Sequence, residues 1–76
     1  MMRRAGRVVT KAQGVAVIRA EGERIPEIGD TVIDERLRKV GRVVDIFGPV
    51  DRPYLAISPE TGVGLDGLLS DVLYLR

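Results

Sequence analysis

The side chains able to do chemistry in this chain are carboxylates, hydroxyls and amines, because the sequence holds no cysteine and no histidine. That removes the thiol nucleophile, the imidazole base and the ordinary zinc site together. Asp30, Asp34 and Glu35 are close enough in sequence to suggest an acid/base pair or a Ca²⁺ loop. A calcium loop takes oxygen ligands at alternate positions and closes on a bidentate Glu, and no segment offers that pattern. Arg36 and Arg38 stand beside these carboxylates as ion-pair partners, so solvated surface charge accounts for all three. Ser58 and Ser70 have no histidine to activate them, and neither sits in a G-x-S-x-G elbow. Lys11 and Lys39 lack a neighbour that would make either of them a base. Gly62-Val63-Gly64-Leu65-Asp66-Gly67 spells G-x-G-x-x-G. The dinucleotide site with that pattern also needs a strand before it, a helix and a second strand after it, and an acidic residue about twenty positions on. Only nine residues follow Gly67, so these glycines are read as a loop. No enzyme activity, no cofactor and no metal site are expected.

Binding is the remaining class of function. Twelve Lys+Arg against eleven Asp+Glu leave a formal charge of +1, too balanced to mark a nucleic-acid or membrane surface by electrostatics alone. Ten of the twelve cations are Arg, the residue preferred for bidentate and stacked contacts, although a compositional bias of the source explains that excess equally well. The cations fall into two groups, Arg3, Arg4 and Arg7 at the amino end and Arg36, Arg38, Lys39 and Arg42 further on. A small RNA-binding barrel using the 36–42 segment is therefore the alternative reading. Against it, RNA-binding barrels set two or three aromatic platforms among their cations, and Phe47, Tyr54 and Tyr74 are all the aromatics there are.

The most informative stretch runs from Val43 to Tyr54. A strand ends on a large apolar residue, a Gly-Pro-Val loop stiffened by Pro49 and Pro53 follows, and Tyr54 opens the next strand. This places Ile46, Phe47, Pro49, Val50, Pro53 and Tyr54 at one end of the fold, more apolar surface than so small a core can enclose. Apolar side chains on a rigid loop lose little entropy on docking, so a protein-binding patch is the functional expectation. Capping of the interior by Phe47 and Tyr54 is the structural alternative.

The elements that must hold this loop are strands. Seventy-six residues make one small domain with one core. Apolar bursts rich in Val and Ile are punctuated by Gly, Pro or Asp about every ten residues, the spacing of an all-β sandwich or barrel. Strands are predicted over 7–12, 15–20, 31–34, 40–47, 54–58 and 71–75, with Gln13-Gly14 as a hairpin break, 21–24 as a charged tip and a turn at 26–30. Residues 1–5 are expected to be loose. Strict alternation puts Val8, Thr10 and Ala12 on one face of the first strand. On the second, Ala16, Ile18 and Ala20 oppose Val15, Val17 and Arg19. On the fourth, Val40, Arg42, Val44 and Ile46 oppose Gly41, Val43, Asp45 and Phe47. Leu37, Val40 and Val44 also fit a helical period, but Gly41 and the β-branched Val43-Val44 favour a turn followed by a strand. Leu68, Leu69, Val72 and Leu73 leave strand and short helix open over 66–75. Closure into a six-stranded barrel removes the edges a small sheet cannot otherwise protect. No apolar run reaches the length of a membrane span and no signal-peptide core follows Met1-Met2-Arg3-Arg4, so a soluble cytoplasmic protein is expected.

Val32-Ile33-Asp34, Arg36-Leu37, Val40-Gly41-Arg42-Val43, Asp45-Ile46-Phe47-Gly48-Pro49-Val50 and Pro53-Tyr54-Leu55-Ala56-Ile57 together resemble the archaeal Gar (glycine- and arginine-rich) subunit of box H/ACA ribonucleoproteins. The resemblance runs from about Gly6 to Leu75, and its F-G-P-V-x-x-P-Y core is its most specific part. It implies a six-stranded barrel similar to those of translation factors. It also implies a non-catalytic subunit that docks on the catalytic domain of a pseudouridine synthase, not on the guide RNA. There it supports substrate turnover and product release during rRNA pseudouridine synthesis and ribosome biogenesis. Carried over by residue, Phe47, Gly48, Pro49, Val50, Pro53 and Tyr54 form the docking end, with Gly41 and Arg42 beside it. The assembly factor that occupies the same synthase surface shares the barrel. Such proteins often run on into charged or Arg-Gly-Gly tails; here the sequence reaches Arg76 directly after its last predicted strand, so no tail-dependent RNA contact is expected.

Overall fold

The computed structural model describes residues 3–21 and 25–76. Its elements are β1 (Arg3–Ala12), β2 (Val15–Ala20), β3 (Thr31–Ile33), β4 (Lys39–Phe47), β5 (Tyr54–Pro59), a 3-10 turn (Asp66–Leu68) and β6 (Val72–Leu75). They form a closed barrel in the order β1-β2-β5-β4-β3-β6, with every neighbouring pair antiparallel. The six expected strands and their closure are therefore present. β6 seals the barrel by pairing with both β1 and β3. Residues 3–5 are strand, not loose chain, because β1 begins at Arg3 and pairs with Leu75 and Tyr74. Residues 22–24 of the expected charged tip lie outside the described residues.

The β1–β2 hairpin turns on Gln13 and Gly14 at φ 50° and 81°, the pair of positive values that a two-residue turn needs to match the twist of its strands. The 66–75 segment is both things its sequence allowed. One 3-10 turn ends at Leu68, Ser70 breaks it at φ 71°, and a strand follows. Leu37 also lies in a turn, at φ 66°. Ile18, Leu55, Ile57, Leu73, Val32 and Val43 are the largest fully buried side chains. No polar or charged residue is buried among the described residues.

Two bulges overturn the simple alternation. The β1–β2 register shifts between Val8 and Thr10, so Val8 faces the core opposite Ile18 while Thr10 turns outward opposite Val17. Val8, Thr10 and Ala12 do not share a face. The β4–β5 register shifts between Val43 and Asp45, so Val43 and Ile46 point inward over Ile57 and Leu55, and Asp45 and Phe47 point outward. A further shift between Val32 and Ile33 against β4 admits Val40 to the core beside Gly41. Each extra residue exchanges the two faces beyond it and tightens the local twist that closure demands.

Asp34 organises the β3–β4 turn. Its Oδ1 accepts the backbone N–H groups of Arg36 and Arg38 at 2.8 and 2.9 Å, and its Oδ2 accepts Arg38 Nε at 3.1 Å. Burial pushes the Asp34 carboxyl up, but the hydrogen bonds from Arg38 and Arg36 and the Arg38 charge outweigh it and hold the group below its ordinary 3.8. The folded state thus keeps the carboxylate ionised more firmly than the unfolded chain does. Its stabilising contribution is full above the ordinary value and is lost as pH falls through the lowered one. Asp34→Asn is expected to flatten the acid side of a Tm-against-pH curve without moving the neutral plateau by more than about 1 kcal/mol equivalent. An acid limb as steep as that of the wild type would assign the acid sensitivity to other carboxylates.

Candidate functional site

The bulge at Val44 decides where the apolar loop residues go. Beyond it Phe47 lies on the outer surface, paired in register with Tyr54 of β5, and the two rings stack at 5.6 Å between centroids with 24° between planes. The bulge at Val9 does the same for β1, and a shallow groove results, lined by Val9, Thr10, Ala12, Val17, Phe47 and Tyr54. Its floor is Val17, which is only 8% exposed although it points away from the core. Sequence reasoning missed Val9, Thr10, Ala12 and Val17. The usable signal was β2, which carries Val15 and Val17 on its outer face as well as apolar residues inward, an arrangement favoured where the outer face is also covered.

Tyr54 is held on several sides. Arg19 lies over its ring at 5.2 Å and donates from Nη1 to its hydroxyl at 3.0 Å. Gly48, at φ 91°, passes so close that a β-carbon there would lie 2.9 Å from Tyr54 Cδ2. The strand must leave Phe47 through the left-handed region, which glycine enters without penalty. Gly48, Pro49 and Val50 then run exposed, with Val50 at 93%.

The other predicted positions are placed differently. Ile46 packs inward against the core cluster. Pro53 is buried, and its carbonyl accepts the Ala20 N–H at 2.9 Å. Gly41 is buried in the wall, where a β-carbon would lie 2.1 Å from the Ser58 carbonyl oxygen. Arg42 is exposed but opposite Ser58 and Thr31, about 16 Å along the strand from Phe47. Phe47, Gly48, Pro49, Val50 and Tyr54 thus form one surface, and Gly41, Arg42, Ile46 and Pro53 do not lie on it.

The 36–42 cations are partly neutralised. Arg38 pairs with Asp34 at 3.1 Å and Lys39 with Glu60 at 2.8 Å, and the Lys39 hydrogen bond and charge hold the Glu60 carboxyl below its ordinary 4.5. Among the described residues no helix is long and apolar enough to cross a membrane.

A family model described as the Gar1/Naf1 RNA binding region matches residues 2–74. The chain belongs to the Gar1/Naf1 family. An uncharacterized protein of Methanocaldococcus jannaschii is 52% identical over 57 residues, covering 75% of this chain and 65% of that protein. An uncharacterized protein of Methanothermobacter thermautotrophicus is 30% identical over 59 residues, covering 74% of this chain and 64% of that protein. The chain therefore spans just under two thirds of the length of these curated relatives. The solved structure of the Gar1 domain of Naf1 superposes with a TM-score of 0.74 over 100% of this chain and 83% of that one, at 16% identity. That likeness establishes the barrel as the Gar1-domain fold. Gar1/Naf1 membership agrees with the family that the sequence resembles.

Proposed function

We propose that the chain is a non-catalytic subunit of a cytoplasmic H/ACA pseudouridylation particle that docks on the catalytic domain of the pseudouridine synthase. The observation that carries this reading is the stacked Phe47–Tyr54 pair on the outer wall, with the groove to one side and the exposed 48–50 loop to the other. A contiguous apolar surface on a rigid wall suits a protein partner, since burying it releases water at about 25 cal/mol per Å² with little ordering cost. The subunit then supports turnover and product release from the synthase it covers, in the service of rRNA modification. Mixed with the purified synthase at micromolar concentration, the chain is expected to co-elute on gel filtration. Two separate peaks at that concentration contradict the reading.

Direct RNA contact through Arg36, Arg38, Lys39 and Arg42 is the second reading, favoured by the family's description as an RNA binding region. It predicts affinity for guide RNA alone that falls steeply between low and moderate salt. A mainly apolar protein interface with few ion pairs responds far less to that change.

A further inference from the structure

The rung of side chains that contains Phe47 continues sideways around the barrel. Phe47 is in register with Tyr54, Tyr54 with Arg19, Arg19 with Arg7, and Arg7 with Val72. Gly6 and Ala20 below this rung and Val8 and Ile18 above it all face the core, so Arg7 and Arg19 are outward neighbours. Directly opposed residues on antiparallel strands hold their β-carbons about 5 Å apart, where like charges repel.

Among the described residues no carboxylate lies within ion-pairing distance of either arginine. Among the described residues Arg4, Lys11, Arg38 and Lys39 each have a carboxylate partner, and Arg7 and Arg19 have none. Arg7 Nη1 donates to the Ser70 carbonyl at 2.6 Å. Arg19 Nη1 reaches only the Tyr54 hydroxyl, and its Nε is buried without an acceptor. Arg52, whose Nε donates to the Ala20 carbonyl at 3.4 Å, adds a third cation near the same end of β2.

The aromatic pair argues for a protein carboxylate and against nucleic acid. Phe47 and Arg19 both lie on the Tyr54 ring and Gly48 presses on its edge, so this ring offers no open platform for a base. RNA would find no open face on Tyr54 and would be held here mainly by its phosphates, leaving the apolar groove uncovered. A folded protein surface uses both halves.

We propose that the partner surface seated on this face presents aspartate or glutamate carboxylates to Arg7 and Arg19, beside the Phe47–Tyr54 platform. The inference rests on the docking reading above. Apolar contact supplies affinity without direction, and carboxylates paired with guanidiniums on adjacent strands fix the rotational register of the partner on it.

The test measures binding of the synthase catalytic subunit to wild type, Arg7→Gln and Arg19→Gln at about 50 and 500 mM salt, with circular dichroism to establish that each variant is folded. Guide RNA alone is titrated in parallel. Arg7→Gln is expected to weaken synthase binding about tenfold or more at low salt and to slow association, with the gap narrowing at high salt. Folded Arg7→Gln and Arg19→Gln proteins that bind with wild-type affinity and wild-type salt response would overturn the carboxylate pairing and leave the docking reading intact. Absence of binding by the wild type overturns both. Guide RNA that binds the wild type alone and is lost in Arg7→Gln reassigns the arginines to phosphate and also overturns the proposal.

Discussion

Gly41→Ala is expected to unfold the barrel or to lower its Tm by more than about 10 °C, a loss of roughly 3 kcal/mol or more. Gly41 lies between Val32 of β3 and Pro59 of β5. A β-carbon added there meets the Ser58 carbonyl oxygen at 2.1 Å, its carbon at 2.9 Å and Ile57 Cγ2 at 3.0 Å. The first two are backbone atoms of a paired strand, and retreat would break the Arg42–Ser58 and Val43–Ile57 register that closes the wall. A domain of this size has in total only about 4–11 kcal/mol of stability, at 0.05–0.15 kcal/mol per residue. Thermal melting of the purified variant decides the matter, and a Tm within a few degrees of wild type would mean that β5 yields and that packing does not fix Gly41. The prediction separates two explanations for a glycine that the family resemblance sets beside the docking residues. If any loss of synthase binding in Gly41→Ala tracks the loss of folded protein, the residue acts through the wall. Arg42→Ala, at an exposed position on the same strand, is expected to leave Tm within about 0.5 kcal/mol equivalent.

The strands were legible because Val and Ile bursts end at residues with a definite backbone reason to end them. Gln13-Gly14 supplies positive φ twice, and Asp34 folds the next turn around its own carboxylate. Closure followed from the shortness of the chain and the cost of open edges. The inside and outside of β1 and β4 were not legible, and the reason is local. Val9 and Val44 look like ordinary strand residues, yet each is the extra residue of a bulge, and each is exposed at 49% and 45%. A period-2 reading carried through a bulge exchanges the faces, so Phe47 and Asp45 were correctly paired with each other but wrongly with Gly41 and Val43. Bulges answer to the twist and shear of the closed barrel, quantities set by six strands together rather than by any nine residues. The 48–53 loop stood out because Pro49, Val50 and Pro53 put more apolar surface at one end of the fold than so small a core can enclose. Its groove did not, because Val9, Thr10 and Ala12 join Phe47 and Tyr54 only after both bulges have turned their strands.

Phe47→Ala combined with Pro49→Ala is expected to weaken synthase binding by about 2–4 kcal/mol, roughly 30- to 1,000-fold in Kd, while the barrel stays folded. The two substitutions act differently. Phe47 is 44% exposed on the outer wall, and truncating it removes the ring that stacks on Tyr54 and the rim of the groove. The stability lost with that stacking is about 0.5–1.5 kcal/mol, well below the loss expected at Gly41. Pro49 is expected to act through its rigidity. Replacing it restores φ freedom to the loop that carries Val50, and the partner must then order that loop on binding. Affinity measured by calorimetry and Tm by circular dichroism should therefore move apart, with a large change in the first and a small one in the second. Unchanged affinity in a folded double variant would place the docking surface elsewhere on the barrel. A collapse of both together would show that the Phe47–Tyr54 pair is part of what holds β4 to β5, which the inward seating of Ile46 and Leu55 beneath them argues against. Because the two rings lie outside a wall whose core is complete without them, recognition and folding in this chain are predicted to be separable at Phe47 and inseparable at Gly41.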